Sequence, residues 1–197
     1  MKFGAIIIGD EILSGKRKDG HLARTIVALG TRGLQLAWCH YLGDDPELIA
    51  ATFRRTFESG DVVFSFGGIG ATPDDHTRQC AAAAREVPLE LHPEARALIT
   101  QRMQDQAAEK GVAFDAHAHD NIHRLNMGVF PIGAQIIPNP YNKIPGFSVR
   151  HLHFVPGFPV MAWPMIEWVL DHHYAALHGS HAQNERSVIV FGSIEAT

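Results

Sequence analysis

The chain has 197 residues, 46% hydrophobic and 19% charged, which is material for one substantial core or one domain with an appendage. A net charge of −4 without a basic cluster excludes an electrostatic footprint for nucleic acid, and no apolar run approaches membrane-spanning length. Only two cysteines occur, Cys39 and Cys80, which form neither a disulfide framework nor a zinc pattern and suit a reducing cytoplasm.

Phe3 to Ile8 reads as a buried strand ended by Gly9-Asp10-Glu11, too short and too soon acidic for the apolar region of a signal peptide. His21 to Leu29 reads as a helix with Leu22, Ile26 and Leu29 on one face, stopped by Gly30 and Gly33. Leu34 to Leu42 is a second strand. Asp45 then caps a helix that Pro46 opens, with Ile49, Phe53 and Phe57 as its buried stripe. Asp61 to Phe66 is a third strand, and the Ala-rich run Arg78 to Arg85 has high helix propensity. This alternation predicts a parallel sheet with helices on both faces, joined by right-handed crossovers.

In the second half, Pro93 to Lys110 places Ala95, Leu98, Ile99, Met103 and Ala107 on one helical face, and Asp115 to Asp120 reads as a polar turn. Gln135 to Ile137 is a short strand, while Pro138 to Gly146 is too rich in Pro and Asn for regular structure. Val149 to Val155 alternates in polarity and reads as one strand, with His151 and His153 on the same face. That pair lacks a third ligand for a metal. Pro156-Gly157-Phe158-Pro159 breaks the strand, and Met161 to Leu177 follows as a long amphipathic helix. Residues 1–177 therefore read as one domain, 178–184 as a linker and Ser187 to Phe191 as a lone strand.

The most informative segment is Gly67-Gly68-Ile69-Gly70-Ala71-Thr72-Pro73-Asp74-Asp75-His76-Thr77. A strand, a glycine turn and a helix start can present backbone N–H groups to an anion. A second reading is structural, with Thr72 as N-cap, Pro73 as first helical residue and Asp75 as the acidic member of a capping box. Capping does not require three clustered glycines. Acidic pairs follow all three strands, at Asp10-Glu11, Asp44-Asp45 and Asp74-Asp75, and a parallel sheet puts them on one rim. Asp45 has a capping duty and Asp44 has none. Carboxylates beside an N–H cradle suit metal-assisted chemistry at a phosphate, with Glu11, Asp44 and Asp75 as candidate ligands of Mg²⁺.

The glycine–aspartate segment resembles the Gly-Gly-x-Gly…Asp-x-Thr signature of the molybdopterin-binding domain family (MoaB/Mog-like). Gly9-Asp10-Glu11-Ile12-Leu13-Ser14-Gly15, Gly43-Asp44-Asp45, Asn139-Pro140 with Pro145-Gly146, and Val155-Pro156-Gly157-Phe158-Pro159 are similar to motifs of its competence/damage-inducible protein A (CinA-like) branch. The resemblance spans roughly residues 3 to 175 and implies a three-layer α/β/α domain with a mostly parallel sheet, often trimeric, that binds molybdopterin or a related pterin or nucleotide. It implies catalytic roles for Asp44 and Asp75. It implies ligand contacts at Gly67, Gly68, Gly70, Thr72, Asp74, Thr77, Asn139, Pro140, Pro156 and Gly157. Two further functions come with it: a divalent-metal-dependent pyrophosphatase acting on ADP-ribose or FAD, and a non-catalytic member of the family. Three positions depart from the pattern. Asp19-Gly20-His21 replaces Asp-Thr-Asn, Asn142 replaces a loop glycine that would be left-handed, and Met161 replaces a glutamate. The last removes a carboxylate from the presumed site, which favours binding over catalysis. Ser187 to Ala196 resembles the entry strand of a second domain found in longer relatives.

Overall fold

The computed structural model describes residues 1–179. The first half runs β1 (Phe3–Ile8), α1 (Asp10–Leu13), α2 (His21–Gly30), β2 (Leu36–Leu42), α3 (Pro46–Ser59), β3 (Val62–Phe66) and α4 (Thr77–Arg85). The second half runs β4 (Leu89–Leu91), α5 (Pro93–Glu109), α6 (His119–Arg124), β5 (Val129–Pro131), β6 (Gln135–Ile137), β7 (Gly146–Val149), β8 (Leu152–Val155) and α7 (Pro159–His173). Six strands form one sheet in the order β2-β1-β3-β8-β7-β6. Strands β1, β2, β3 and β8 are parallel, and only β7 opposes its neighbours.

Burial on both faces explains why β1 and β3 are almost wholly apolar, with Ser65 the polar exception in β3. Alternate residues feed two cores. Ala5, Ile7, Phe64 and Phe66 pack with Leu29 of α2 and Met165, Ile166, Val169 and Leu170 of α7. Ile6, Ile8 and Val63 pack with Ile49 and Phe53 of α3 and Cys80 and Ala81 of α4. The result is the expected three layers, with every parallel strand ending at the same rim. Asp45 caps α3 by accepting from the Glu47 and Leu48 N–H groups, as its position before Pro46 predicts.

Two expectations are corrected. Val149 to Val155 is a hairpin, because Arg150 takes the left-handed region at φ 54° and reverses the chain between β7 and β8. His151 therefore lies in the turn and does not share a strand face with His153. Asp115 to Asp120 leads into α6, and β4 pairs antiparallel with β5 in a small ribbon of which the sequence shows no sign. The expected strand at 187–191, and all but the start of the linker before it, lie outside the described residues. Among the described residues, no helix is long and apolar enough to cross a membrane.

Candidate functional site

The loop after β3 is held by its carbonyls. Gly67 N–H extends the ladder to Val155 O at 3.0 Å. Thr77, fully buried at the start of α4, donates its hydroxyl to Gly67 O at 3.0 Å and its N–H to Gly68 O at 3.0 Å. Arg78 donates through Nη1 to Ile69 O at 2.6 Å from a buried position. Burial holds the Arg78 guanidinium below its ordinary pKa, with the Asp75 charge acting against that. Three successive carbonyls are thus tied to the first turn of α4. Among the described residues, the N–H groups of Gly68, Ile69, Gly70 and Ala71 make no hydrogen bond.

Glycine is required at two places here. Gly67 has φ 98°, and a Cβ would stand 2.5 Å from Ile8 O. Gly68 has φ 67°, and a Cβ would overlap the Thr77 hydroxyl.

The capping reading of Thr72 is corrected. Thr72 to Asp75 closes a turn of its own: Thr72 N–H and hydroxyl both donate to Asp75 Oδ2, at 2.8 and 2.5 Å, and Asp75 N–H returns to Thr72 O at 3.1 Å. The reciprocal pattern resembles a capping box, but α4 begins only at Thr77.

On the neighbouring strand ends, Asp10 N–H donates to Asp44 Oδ2 at 2.9 Å and Asp44 N–H to Asp10 Oδ1 at 3.2 Å. Burial pushes the Asp44 carboxyl above its ordinary pKa, and the nearby carboxylates of Asp10, Glu11 and Asp74 push the same way against the Asp10 N–H. The aspartate of the glycine loop that faces Asp44 electrostatically is therefore Asp74. Glu11 lies 3.7 Å from the Arg17 guanidinium.

Asn139, buried, organises the third wall. Its amide nitrogen donates to Asn142 Oδ1 at 2.8 Å and Ile144 O at 2.9 Å, and its Oδ1 accepts from Tyr141 N–H at 3.0 Å. The left-handed residue of this loop is Lys143, at φ 65°, and not Asn142. Asn142 is used differently: its amide nitrogen lies 3.2 Å from Met161 Sδ. The turn after β8 is fixed by His21, whose Nε2–H donates to Gly157 O at 3.1 Å while its ring stacks on Phe66 at 4.5 Å. Burial keeps His21 below its ordinary pKa.

These walls enclose a cavity of about 440 Å³. It gathers Glu11, Asp44, Gly67, Gly68, Gly70, Thr72, Asp74, Asp75, Asn139, Pro156 and Gly157. Thr77 and Pro140 do not line it; Thr77 acts from below, through the loop carbonyls. Arg17, Met127, Ile144 and Phe158 also line it, and sequence reading missed them as site residues. Arg17 and Met127 stand in segments without a chemical motif, whereas Phe158 was legible as part of the turn but not as a cavity wall. Among the described residues, Glu11, Asp44 and Asp75 are not gathered into a group of three His, Cys, Asp or Glu side chains that could hold an ion by themselves. Asp75 Oδ2 instead accepts from the Thr72 N–H and hydroxyl.

The family model described as "Probable molybdopterin binding domain" matches residues 4–176. The chain belongs to the molybdopterin-binding domain family. Within it, a CinA-like protein of Anaeromyxobacter dehalogenans is 31% identical over 182 residues, covering 90% of this chain and 42% of that protein. A CinA-like protein of Syntrophotalea carbinolica is 30% identical over 202 residues, covering 99% of this chain and 46% of the relative. The chain thus spans less than half the length of these curated relatives. Among solved structures, CinA of Thermoplasma acidophilum superposes with TM-score 0.71 at 25% identity, over 87% of this chain and 98% of its own. The molybdopterin biosynthesis enzyme MoaB of Thermus thermophilus superposes with TM-score 0.53 at 19% identity, over 89% and 94%, and speaks for the fold alone. The molybdopterin-binding domain seen here is therefore of the CinA-like branch, and its motifs from Gly9 to Pro159 meet around one cavity.

Proposed function

We propose that this domain binds the anionic end of molybdopterin, or of a related pterin or nucleotide, on the loop from Gly68 to Thr72. The observation that carries the reading is the run of N–H groups at Gly68, Ile69, Gly70 and Ala71, unpartnered among the described residues, on the wall of the cavity. Partly buried donors without a protein acceptor need water or a ligand oxygen, and a fixed array of them is complementary to phosphate. Asp44, Asp74 and Asp75 would position the groups beyond the phosphate. Calorimetric titration with molybdopterin and with its adenylylated form tests this: binding in the micromolar range or tighter is expected, and no heat with either ligand overturns it.

A second reading, pyrophosphate hydrolysis of ADP-ribose or FAD with a divalent metal, draws on the carboxylates around Asp44 that raise its pKa. Release of AMP above the no-enzyme control in Mg²⁺, Mn²⁺ or Co²⁺, lost in Asp75→Asn, is what this reading requires. Turnover at the control level with ligand binding intact leaves the binding function alone. Assembly as a homotrimer belongs to the same proposal, and light scattering on the purified protein reads it directly.

A further inference from the structure

The cavity is lined by two kinds of surface: the glycine loop with Asp44 and Asp74, and the apolar side chains of Met127, Ile144, Phe158 and Met161. Phe158 is 54% exposed although it lines the cavity, so its ring is not part of the packed core. Its position is nevertheless built. Pro159 follows it at the start of α7, and His21 holds the carbonyl of Gly157 immediately before it. The Arg17 guanidinium sits 5.2 Å from the centroid of the Phe158 ring, and the same side chain is drawn toward Glu11 on the cavity wall. An exposed aromatic ring backed by a cation, on the wall of a cavity that the glycine loop also lines, presents a flat apolar surface at low conformational cost.

We propose that Phe158, backed by Arg17, is the stacking platform for a planar heterocycle whose phosphate lies on the Gly68–Thr72 loop. The site then takes ligands that join a flat aromatic ring to a phosphate, and discriminates against phosphates without a ring. This rests on the phosphate reading of the glycine loop, so the test keeps the two apart by using probes that differ only in the ring. Full-length wild-type protein and the variants Phe158→Ala, Phe158→Trp and Arg17→Ala are titrated with AMP and with ribose 5-phosphate. The wild type should bind AMP at least about tenfold more tightly than ribose 5-phosphate, in keeping with the energy of base–aromatic stacking. Phe158→Ala should lose that ratio and keep its affinity for ribose 5-phosphate; Phe158→Trp should preserve the ratio, and Arg17→Ala should reduce it. Binding of neither probe by the wild type overturns the phosphate site and the platform with it. Wild-type preference for AMP that survives in Phe158→Ala overturns the platform alone, as does an equal loss of both probes. Thermal unfolding of each variant without ligand identifies any loss due to misfolding.

Discussion

Asp10 and Asp44 hold each other across the ends of β1 and β2, each carboxylate accepting the other's backbone N–H at 2.9 and 3.2 Å. The exchange locks two strand ends into one rim and brings two negative charges together. Burial raises the Asp44 carboxyl above its ordinary pKa, the Asp10 N–H opposes this, and the charges of Asp10, Glu11 and Asp74 add to the rise.

The sign follows from linkage. A carboxyl whose folded pKa is raised destabilises the folded state when it ionises, so the penalty is present above the folded pKa and vanishes below the unfolded one. Asp44→Asn keeps an oxygen to accept from Asp10 N–H and removes the charge. Its melting temperature should exceed that of the wild type by a degree or more at pH 7 and converge with it near pH 3; a lower value at pH 7 contradicts the charge account.

Gly68→Ala meets two obstacles together, the left-handed φ of 67° and the Thr77 hydroxyl. A loss of about 2 kcal/mol or more is expected from urea unfolding, with weaker ligand binding because the loop must shift. Gly133→Ala serves as the control: it has φ 81° but open space at Cβ, and should lose only the backbone contribution of about 1–2 kcal/mol, without affecting binding.

Thr77→Val preserves shape and removes the donor to Gly67 O. Leaving that buried carbonyl with one partner fewer should cost about 1–3 kcal/mol. Thr72→Val acts on the exposed turn instead and takes the hydroxyl from Asp75 Oδ2, leaving it the Thr72 N–H. It should change stability by less than about 1 kcal/mol while altering ligand affinity. The reverse ranking, read by unfolding and calorimetry together, would remove the distinction drawn between the two threonines.

His153 is 2% exposed, its Nδ1 paired with the Ser148 hydroxyl and its Nε2 with the Tyr174 hydroxyl, both at 2.8 Å. Burial, with His173 and His151 nearby, lowers its pKa from 6.5 to about 3. The folded state refuses a proton that the unfolded chain accepts, so stability is lost as pH falls from 6.5 toward 3, by at most about 1.4 kcal/mol per pH unit from this residue. His153→Gln should flatten that slope in a pH series of urea midpoints. An unchanged slope assigns the acid sensitivity to other groups.

Met161→Glu places a carboxylate where Asn142 now offers its amide nitrogen to sulfur at 3.2 Å. If the missing carboxylate alone limits pyrophosphatase chemistry, this variant should release AMP from ADP-ribose in Mg²⁺ well above the wild type. Equal, background turnover in both proteins places the barrier elsewhere, and Asp75, bound to Thr72, is the first position to examine.

Local pattern determined the sheet and its rim. The short, mainly apolar runs at Phe3–Ile8 and Val62–Phe66 suit strands buried on both faces, Asp45-Pro46 suits a helix start, and three strand ends followed by acids share one edge when the strands are parallel. The glycine cradle was legible for the same reason, since a left-handed backbone at Gly67 and Gly68 leaves a mark in residue type. Tertiary structure decided what each polar atom does. Arg150 makes a hairpin of an apparently continuous strand, because alternation in polarity is the same on either side of a turn. Asp75 turns back on Thr72, His21 crosses to Gly157, and Phe158 meets Arg17 on the cavity wall from segments about 140 residues apart. Such pairings depend on side-chain direction and on which loops meet in space, and neither is written in the spacing of residues along the chain.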